Sequence, residues 1–213
     1  MRVLDEWLLT PWRVAVHQPS MTAVVADLHL GYDRVRRRNG EAVPVRTVRD
    51  ELAPLLAAMH QTKTRRLVVA GDLFEDARVD RAELIDDLAL WLKVAGVELV
   101  AVVPGNHDRG LGDGDALPLE KDGVELGRWL VVHGDREGPQ RPTVQGHEHP
   151  WFRWRGRLSG PCYLVGPTRL VLPAYSRDAA GANVVGKERW ADYRCCVIAG
   201  GEVLDFGELR RLG

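Results

Sequence analysis

Four apolar runs, each ending in glycine or polar residues, constrain the fold of this chain more than any other feature of its sequence. The runs are TAVVADLHLG (22–31), RRLVVAGDLF (65–74), VELVAVVPGNHD (97–108) and RWLVVHGD (128–135). Continuous stretches of valine, leucine and alanine of this length are typical of strands that are buried on both faces. They therefore predict the central strands of a layered α/β protein.

Two segments between these runs have the periodicity of amphipathic helices. In the first, 45–61, the apolar residues that share one face are Val48, Leu52, Leu55, Leu56 and Met59. Because proline lacks the amide hydrogen that a helix interior needs, Pro54 is expected to kink or split this helix. The second segment, 80–96, opens with a capping-box spacing at Asp80 and closes near Gly96.

After about residue 150 the apolar periods become shorter. CYLVG, RLVLPAY and CCVIAGGEVLDF are separated by glycine and proline, which predicts additional antiparallel strands. The whole pattern predicts an α/β fold in which two packed sheets are flanked by helices, a two-sheet αββα sandwich. A chain of 213 residues without an internal repeat or a long linker is expected to form one domain, residues 1–213.

Charge and composition exclude some classes of protein. The 29 basic and 30 acidic residues give a net charge of −1, so any affinity for a polyanion has to come from local patches. No apolar run approaches the length of about 18 residues that a membrane span needs, and the N-terminus does not resemble a secretory signal. The cysteines are odd in number and include an adjacent pair, which is typical of reduced thiols, so a cytoplasmic location is expected: Cys162, Cys195 and Cys196.

Candidate metal ligands follow the predicted strands. They are Asp27 and His29, then Asp72, then Asn106 with His107 and Asp108, then His133, and finally His147 and His149. In open α/β sheets the carboxyl ends of the strands are the edge where ligands bind. The donors are oxygen and nitrogen without a thiolate, which suits Mn²⁺, Fe or Zn²⁺ in an open catalytic site better than a structural zinc site.

Two adjacent cations need a shared anionic oxygen to limit their repulsion. Asp72, between the earlier and the later groups, is the natural bridge. Asp27 and His29 would converge on one metal, and Asn106, His133 and one histidine of the GHEH stretch could hold the other. If that stretch is a strand, its two histidines point the same way and could grip one object together, although they could also be two incidental imidazoles.

Each motif alone has a plain structural alternative. Asp27 could cap a helix, Gly71-Asp72 could be a turn, and Asn106-His107-Asp108 could be a polar loop. Taken together, these alternatives require several separate coincidences at the same edge of the sheet. The combined pattern therefore favours a metal site.

The motif set resembles the calcineurin-like metallophosphoesterase superfamily in order and spacing. It consists of Asp27-x-His29, Gly71-Asp72, Gly105-Asn106-His107-Asp108, His133 and Gly146-His147-x-His149. The resemblance implies a first metal held by Asp27, His29, His149 and Asp72. It implies a second metal held by Asp72, Asn106, His133 and His147.

The same resemblance implies a reaction, the hydrolysis of a phosphate ester by attack of a metal-bridging hydroxide. His107 would then lie near the leaving-group oxygen as a proton donor, oriented by Asp108, which makes both of them candidate catalytic residues. The cofactors implied are two divalent metal ions, with Mn²⁺ favoured and Fe or Zn²⁺ as alternatives.

A smaller group within the superfamily is also similar to this chain. ADLHLGY followed by an arginine-rich stretch, GHEHP, and RLVLPAY all resemble the small bacterial and archaeal phosphoesterases that include the DNA-ligase-associated type. This resemblance implies a Mn²⁺-stimulated phosphodiesterase with a functional link to a DNA ligase and a helicase. A nucleotide or nucleic acid is then the expected partner, and the oligomeric state is left open.

Three arginines are candidates for substrate binding. Arg36 and Arg37 lie in the stretch RVRRRNG (34–40) just after the first ligands, and Arg109 directly follows the GNHD motif. Guanidinium groups bind phosphates well, although the arginine-rich stretch could equally be a solvated charge run.

The predicted function is a dinuclear metal-dependent phosphodiesterase for a nucleotide or nucleic-acid-derived phosphodiester, with a possible link to DNA repair. The alternatives are a phosphomonoesterase or nucleotide pyrophosphatase that uses the same site, or a non-catalytic scaffold of the same fold. Because the ligand set is complete and His107 is present, the sequence argues against the scaffold.

Overall fold

The computed structural model describes residues 1–77, 79–112, 114–136, 138 and 140–212. The strands of the first sheet neighbour one another in chain order: β1 (Arg2–Val3), β2 (Trp7–Leu9), β3 (Ala15–His17), β4 (Thr22–Val25), β5 (Arg66–Ala70) and β6 (Glu98–Val103). The pairs from β1 to β4 are antiparallel, whereas β4, β5 and β6 are parallel. The carboxyl ends of these parallel strands therefore lie at one edge of the sheet.

The helices of this half are α1 (Tyr32–Arg38), α2 (Val48–Thr62) and α3 (Arg81–Ala95). Both long helices follow the predicted boundaries closely. Thr47 forms a capping box with Asp50 at the start of α2, and the Asp80 side chain accepts a hydrogen bond from the Glu83 amide at the start of α3. Their buried faces pack in one core with residues of β3, β4, β5 and β6.

Pro54 does not split α2, and the reason lies far away in the sequence. The hydroxyl of Tyr175 accepts a hydrogen bond from the Leu55 amide at 3.0 Å and donates one to the Glu51 carbonyl at 3.0 Å. In an uninterrupted helix these two backbone groups would bond to each other. The hydroxyl thus bridges the turn that contains the proline ring, and the helix continues to Thr62.

The strands of the second sheet are β7 (Val124–Leu126), β8 (Trp129–Val132), β9 (Thr143–Gln145), β10 (Pro150–Trp154), β11 (Leu158–Val165), β12 (Arg169–Val171), β13 (Ala182–Asn183), β14 (Arg194–Ala199) and β15 (Glu202–Glu208). Their order is β13-β10-β11-β12-β9-β8-β7, and β14 pairs with both β11 and β15. The late strands β10, β11, β14 and β15 are joined by antiparallel pairs, as predicted. In contrast, β12, β9 and β8 are parallel neighbours.

The two sheets pack face to face. The core between them contains the completely buried side chains of Trp7, Trp129 and Tyr163, together with apolar residues of both sheets. On the outer face of the second sheet, a further core includes Trp190 and Leu209, which come from short 3₁₀ helices at Glu188–Trp190 and Leu209–Arg211. The predicted α/β two-sheet sandwich is thereby confirmed, with α-helices on one side and, in the described part of the chain, 3₁₀ helices on the other.

Each predicted run contains a strand: β4, β5, β6 and β8. The expectation of burial on both faces holds for β4 but not for β8, where buried and half-buried residues alternate. The buried residues of β8, Trp129 and Val131, face the core between the sheets, whereas the outer core, among the residues that the structure describes, contains no residue of this strand. No helix among the described residues is long and apolar enough to cross a membrane.

Candidate metal centre

The candidate ligands come together where parallel strands of both sheets end. Asp27 and His29 follow β4, Asp72 follows β5 and Asn106 follows β6. From the second sheet, His133 follows β8, and the two histidines of the GHEH stretch follow β9. The candidate ligands therefore lie at the carboxyl ends of strands in both sheets, as the sequence predicts.

The backbone at these positions is strained. The left-handed region, where side chains are rarely found, contains Asp27 (φ 55°), His29 (φ 50°), Asp72 (φ 45°), His147 (φ 67°) and His149 (φ 42°). Each such residue costs on the order of 1–3 kcal/mol and persists only where its surroundings enforce it. Backbone hydrogen bonds do so here, since the amide of Asp27 donates to Gly71 and that of His29 to Asp72. Strained residues of this kind are often found at functional sites, although six other non-glycine residues with a positive φ lie elsewhere among the described residues.

Three glycines allow the backbone to approach the ligands closely. A Cβ atom on Gly71 would lie 1.8 Å from Nδ1 of His133, and one on Gly105 would lie 2.1 Å from Oδ1 of Asp72. A Cβ on Gly146 would lie 2.6 Å from Oδ2 of Asp27. These positions need glycine because the ligand side chains occupy the space that any other residue would fill.

The first group of ligands is Asp27, His29, Asp72 and His149, whose ligand atoms all lie within 4.8 Å of one another. Nε2 of His149 is 3.5 Å from Oδ2 of Asp27, and Nε2 of His29 is 4.0 Å from Oδ2 of Asp72. Both Nε2 atoms are buried without a hydrogen-bond partner. Buried polar atoms normally have partners, so this group fits a bound cation.

The second group surrounds Nε2 of His133. This atom is 3.0 Å from Oδ1 of Asn106, 3.2 Å from Nδ1 of His147 and 3.5 Å from Oδ2 of Asp72. The other ring nitrogen of His133 faces the carbonyl of Ala70 at 3.5 Å, which favours a proton there and a lone pair on Nε2. Acceptor atoms then converge on one point, an arrangement that a cation satisfies. Asp72 contributes to both groups, as expected of a bridge.

From the sequence, the GHEH histidines could lie on a strand, but in the structure they do not. They occupy the connection between β9 and β10, and their left-handed backbones turn the two rings apart. His147 contacts His133, whereas the ring of His149 packs edge-on against His29 with centroids 5.3 Å apart. The pair therefore serves two groups and does not grip one object.

Burial governs the protonation of these ligands. It raises the pKa of Asp27 well above its ordinary value, and the nearby Asp72 carboxylate raises it further. Burial and the neighbouring His29 lower the pKa of His149 to about 4, and burial lowers the pKa of His133. Both imidazoles are thus neutral at neutral pH, which is the form that binds metals.

His107 lies beside both groups without belonging to either. Its Nδ1 is 2.5 Å from the Glu75 carbonyl, which can only accept, so Nδ1 carries the hydrogen and Nε2 is the other titrating atom. Burial lowers the pKa of His107, but the Glu75 carbonyl and the carboxylates of Asp72, Glu75 and Asp108 outweigh it and raise the pKa overall.

Asp108 does not orient His107, contrary to the expectation. Its buried carboxylate accepts hydrogen bonds from the amides of Leu73 and Phe74 and from that of Gly105, at 3.1, 3.0 and 2.9 Å. Asp108 thus ties the loop after β5 to the loop after β6. The contact that orients the His107 ring comes from the carbonyl of Glu75.

The candidate substrate arginines differ in burial and in their contacts. Arg36 contacts the hydroxyl of Tyr32 at 3.1 Å and pairs with Glu41, while Arg37 and Arg109 are exposed. The contacts of Arg36 with Tyr32 and Glu41 do not involve the ligand groups, and substrate binding by the three arginines stays a prediction.

Two residues near the centre were not predicted. Glu75 contacts both His29 and His107, and Arg81 donates to the carbonyl of Arg109 at 2.8 Å while its guanidinium lies over the Phe74 ring. The position of Glu75, shortly after Gly71-Asp72, was a usable signal. Arg81 is the first residue of α3, and no motif in the sequence marked it as a residue of the site.

A family model described as calcineurin-like phosphoesterase matches residues 21–176, about three-quarters of the chain. The chain belongs to the calcineurin-like phosphoesterase family. The matched range contains every candidate ligand from Asp27 to His149, and membership makes the chain a hydrolase of phosphate esters, as the motifs predict. The family and the Asp/His cluster together support the binding of divalent metal.

Two relatives add detail. The DNA double-strand break repair protein Mre11 of Methanopyrus kandleri is 34% identical over 99 residues, which are 46% of this chain and 21% of that protein. This chain thus spans about a fifth of that relative's length. The crystal structure of Pseudomonas putida nuclease MPE has a TM-score of 0.74 at 19% identity, and the match covers 97% of this chain and 98% of that one. That likeness shows a shared fold over nearly the whole chain.

Proposed function

We propose that this protein is a dinuclear metal-dependent phosphodiesterase that hydrolyses a nucleotide or a nucleic-acid-derived phosphodiester. The observation that carries the proposal is the convergence of ligand atoms on both sides of Asp72, with unpartnered Nε2 atoms of His29 and His149 on one side. Imidazoles, buried carboxylates and one amide oxygen form a donor set that suits an open catalytic site.

The two groups of side chains described above are the proposed ligands of the two cations. Asp27, His29 and His149 would hold one cation, Asn106, His133 and His147 the other, and Asp72 would bridge them. Divalent cations held there would lower the pKa of water and offset negative charge on the phosphate oxygens. Mn²⁺ is the proposed metal, because the mixed oxygen and nitrogen donors without thiolate suit it.

His107 is the proposed general acid. Its Nδ1 is anchored on the Glu75 carbonyl, and its own amide donates to Oδ1 of Asp72 at 2.9 Å. Nε2 is therefore the atom that would give a proton to the departing oxygen. Asp108 supports this role by fixing the loops around the histidine.

The names of the relatives support a diester of nucleic-acid origin. One is a DNA double-strand break repair protein and the other is a nuclease. We extend the proposal to a role in nucleic-acid processing beside a DNA ligase and a helicase, which rests on the motif resemblance of the first ligand segment, GHEHP and RLVLPAY.

We also propose that residues 1–213 act as one domain. The first strand, β1, pairs within the first sheet, and Leu209 near the other end packs in the outer core of the second sheet. The centre draws its ligands from both sheets, so neither sheet could supply it alone.

The test is hydrolysis of bis-p-nitrophenyl phosphate by metal-stripped protein, with and without added Mn²⁺. We expect Mn²⁺ to restore activity and His107→Ala to lower it about 10²–10⁴-fold with metal binding retained. His60→Ala, which removes an exposed histidine of α2, is the matched control and should match the wild type. Comparison with p-nitrophenyl phosphate distinguishes a diesterase from a monoesterase. Absence of hydrolysis by protein loaded with two metal ions would contradict the proposal.

A further inference from the structure

Glu75 lies between the first ligand group and the proposed general acid. Its carboxylate oxygen Oε2 is 2.9 Å from Nδ1 of His29, and its side chain is 22% exposed. The contact is within ion-pair range although its alignment is poorer than that of a hydrogen bond, since Nδ1 of His29 has no aligned partner. The other ring nitrogen of His29, Nε2, faces Asp72 in the first group.

The backbone holds Glu75 in this place independently of its side chain. Its amide donates to the Leu30 carbonyl at 3.0 Å, and the Leu30 amide donates to the Leu73 carbonyl at 2.9 Å. Leu30 directly follows His29, so the segments that carry the carboxylate and the imidazole are joined by adjacent hydrogen bonds. The carbonyl of Glu75 accepts from Nδ1 of His107 in the same arrangement.

A carboxylate beside one nitrogen of an imidazole determines which nitrogen carries the hydrogen. Attraction to Oε2 of Glu75 keeps the hydrogen of His29 on Nδ1 and leaves the lone pair on Nε2. Removing a carboxylate that holds a metal-binding histidine in this way commonly weakens metal affinity by about 10–100-fold.

We infer that Glu75 is a positioning residue that sets the affinity of the first metal site by holding His29 with Nε2 directed at Asp27, Asp72 and His149. The inference rests on the proposed function, because it assigns a role within the same metal centre. In the proposed centre Glu75 touches neither the substrate nor the metal and acts through His29.

The experiment is calorimetric titration of Mn²⁺ into metal-stripped wild type, Glu75→Ala and Glu75→Gln. We expect Glu75→Ala to weaken one of two binding events about 10-fold or more and to leave the other close to the wild type. Glu75→Gln keeps an acceptor oxygen without the charge, so it should recover part of the affinity. The control for loss of negative charge is Glu83→Gln, which removes an exposed carboxylate of α3 that pairs with Arg34.

Each outcome has a separate meaning. Equal Mn²⁺ affinities for Glu75→Ala and the wild type would overturn the inference and leave the proposed function standing. An equal loss in Glu83→Gln would also overturn it, because a general charge effect would then explain the data. If the wild type binds no Mn²⁺, the proposed function itself fails. If Glu75→Ala does not fold, Glu75→Gln gives the same comparison in a variant of nearly identical shape.

Discussion

At the scale of single residues, glycine gives the sharpest test of the centre. Gly71 (φ 89°) and Gly40 (φ 86°) have nearly the same left-handed backbone. A Cβ atom added to Gly71 would clash with His133, whereas one added to Gly40 would have no atom of the described residues within 4 Å. Alanine at either position should cost about 1–2 kcal/mol of unfolding free energy through backbone strain. Gly71→Ala should in addition displace His133 and remove the second metal. Calorimetric titration should show two Mn²⁺ ions bound per chain for Gly40→Ala and at most one for Gly71→Ala.

The comparison between the two alanine variants isolates the contact with His133 from the strain that both share. Two Mn²⁺ bound by Gly71→Ala with the wild-type affinity would mean that His133 is not needed in its observed position.

The sequence predicts where the candidate ligands lie, because most of them come shortly after a recognisable strand. It does not predict what supports them. Asp108 stands next to His107 in sequence, which suggested that it orients the ring, but its carboxylate turns to the amides of Leu73 and Phe74. Glu75 takes that role through its carbonyl, and a contact from a backbone group leaves no signature in residue types.

At the scale of elements, the integrity of α2 depends on Tyr175. Its hydroxyl joins the Leu55 amide and the Glu51 carbonyl on either side of Pro54. Tyr175→Phe removes the hydroxyl and leaves these two backbone groups unpaired, so it should lower the unfolding free energy by about 1–3 kcal/mol. Urea denaturation of the two proteins measures this difference.

A second variant separates the helix from general effects of losing a hydroxyl. In a Pro54→Ala background an ordinary helix bond can replace the bridge, so Tyr175→Phe should cost clearly less there. An equal cost in both backgrounds would show that the hydroxyl does not compensate for the proline.

Of the predicted kink or split at Pro54, the split does not occur, for a reason that lies outside local sequence. The partner of the interrupted turn is 120 residues away from Leu55, and no periodicity in 45–61 reports it. Features that depend on neighbouring residues were correct, such as the start of α3 at Asp80 and its end at Gly96, whose φ is 65°. Local chemistry therefore determined the helix boundaries, whereas a tertiary contact determined continuity.

At the scale of the whole molecule, one buried acid gives stability a dependence on pH. Burial raises the pKa of Glu51 to about 7, and the guanidinium of Arg46, 3.7 Å away, offsets only part of this effect. Between about pH 4.5 and 7 the folded chain keeps a proton that the unfolded chain has released. The contribution of Glu51 to stability is therefore greatest below that range and is lost as the pH rises to about 7.

Glu51→Gln should remove this dependence. Relative to the wild type, the variant should gain about 1–3 kcal/mol of unfolding free energy between pH 5 and pH 8. Urea denaturation with a chelator present measures the difference, and Glu98→Gln, which alters a largely exposed acid paired with Arg66, is the control. A difference between Glu51→Gln and the wild type that is the same at both pH values would contradict the prediction.

The order and direction of the strands determine where the candidate metal centre lies. The parallel strands β4, β5 and β6 of one sheet and β8 and β9 of the other end on the same side of the sandwich. The sequence predicts two packed sheets and the active edge, but it does not show that β8 belongs to the second sheet or that β12 pairs with β9. Such pairings are set by how the two sheets pack, not by any single strand.

In the proposed centre, two metal ions share Asp72. The most direct test of this arrangement is the anomalous diffraction of Mn²⁺ in crystals of the wild-type protein grown with that ion. We expect two peaks flanking the Asp72 carboxylate, one beside Asp27, His29 and His149 and the other beside Asn106, His133 and His147. A single peak, or peaks away from Asp72, would contradict it.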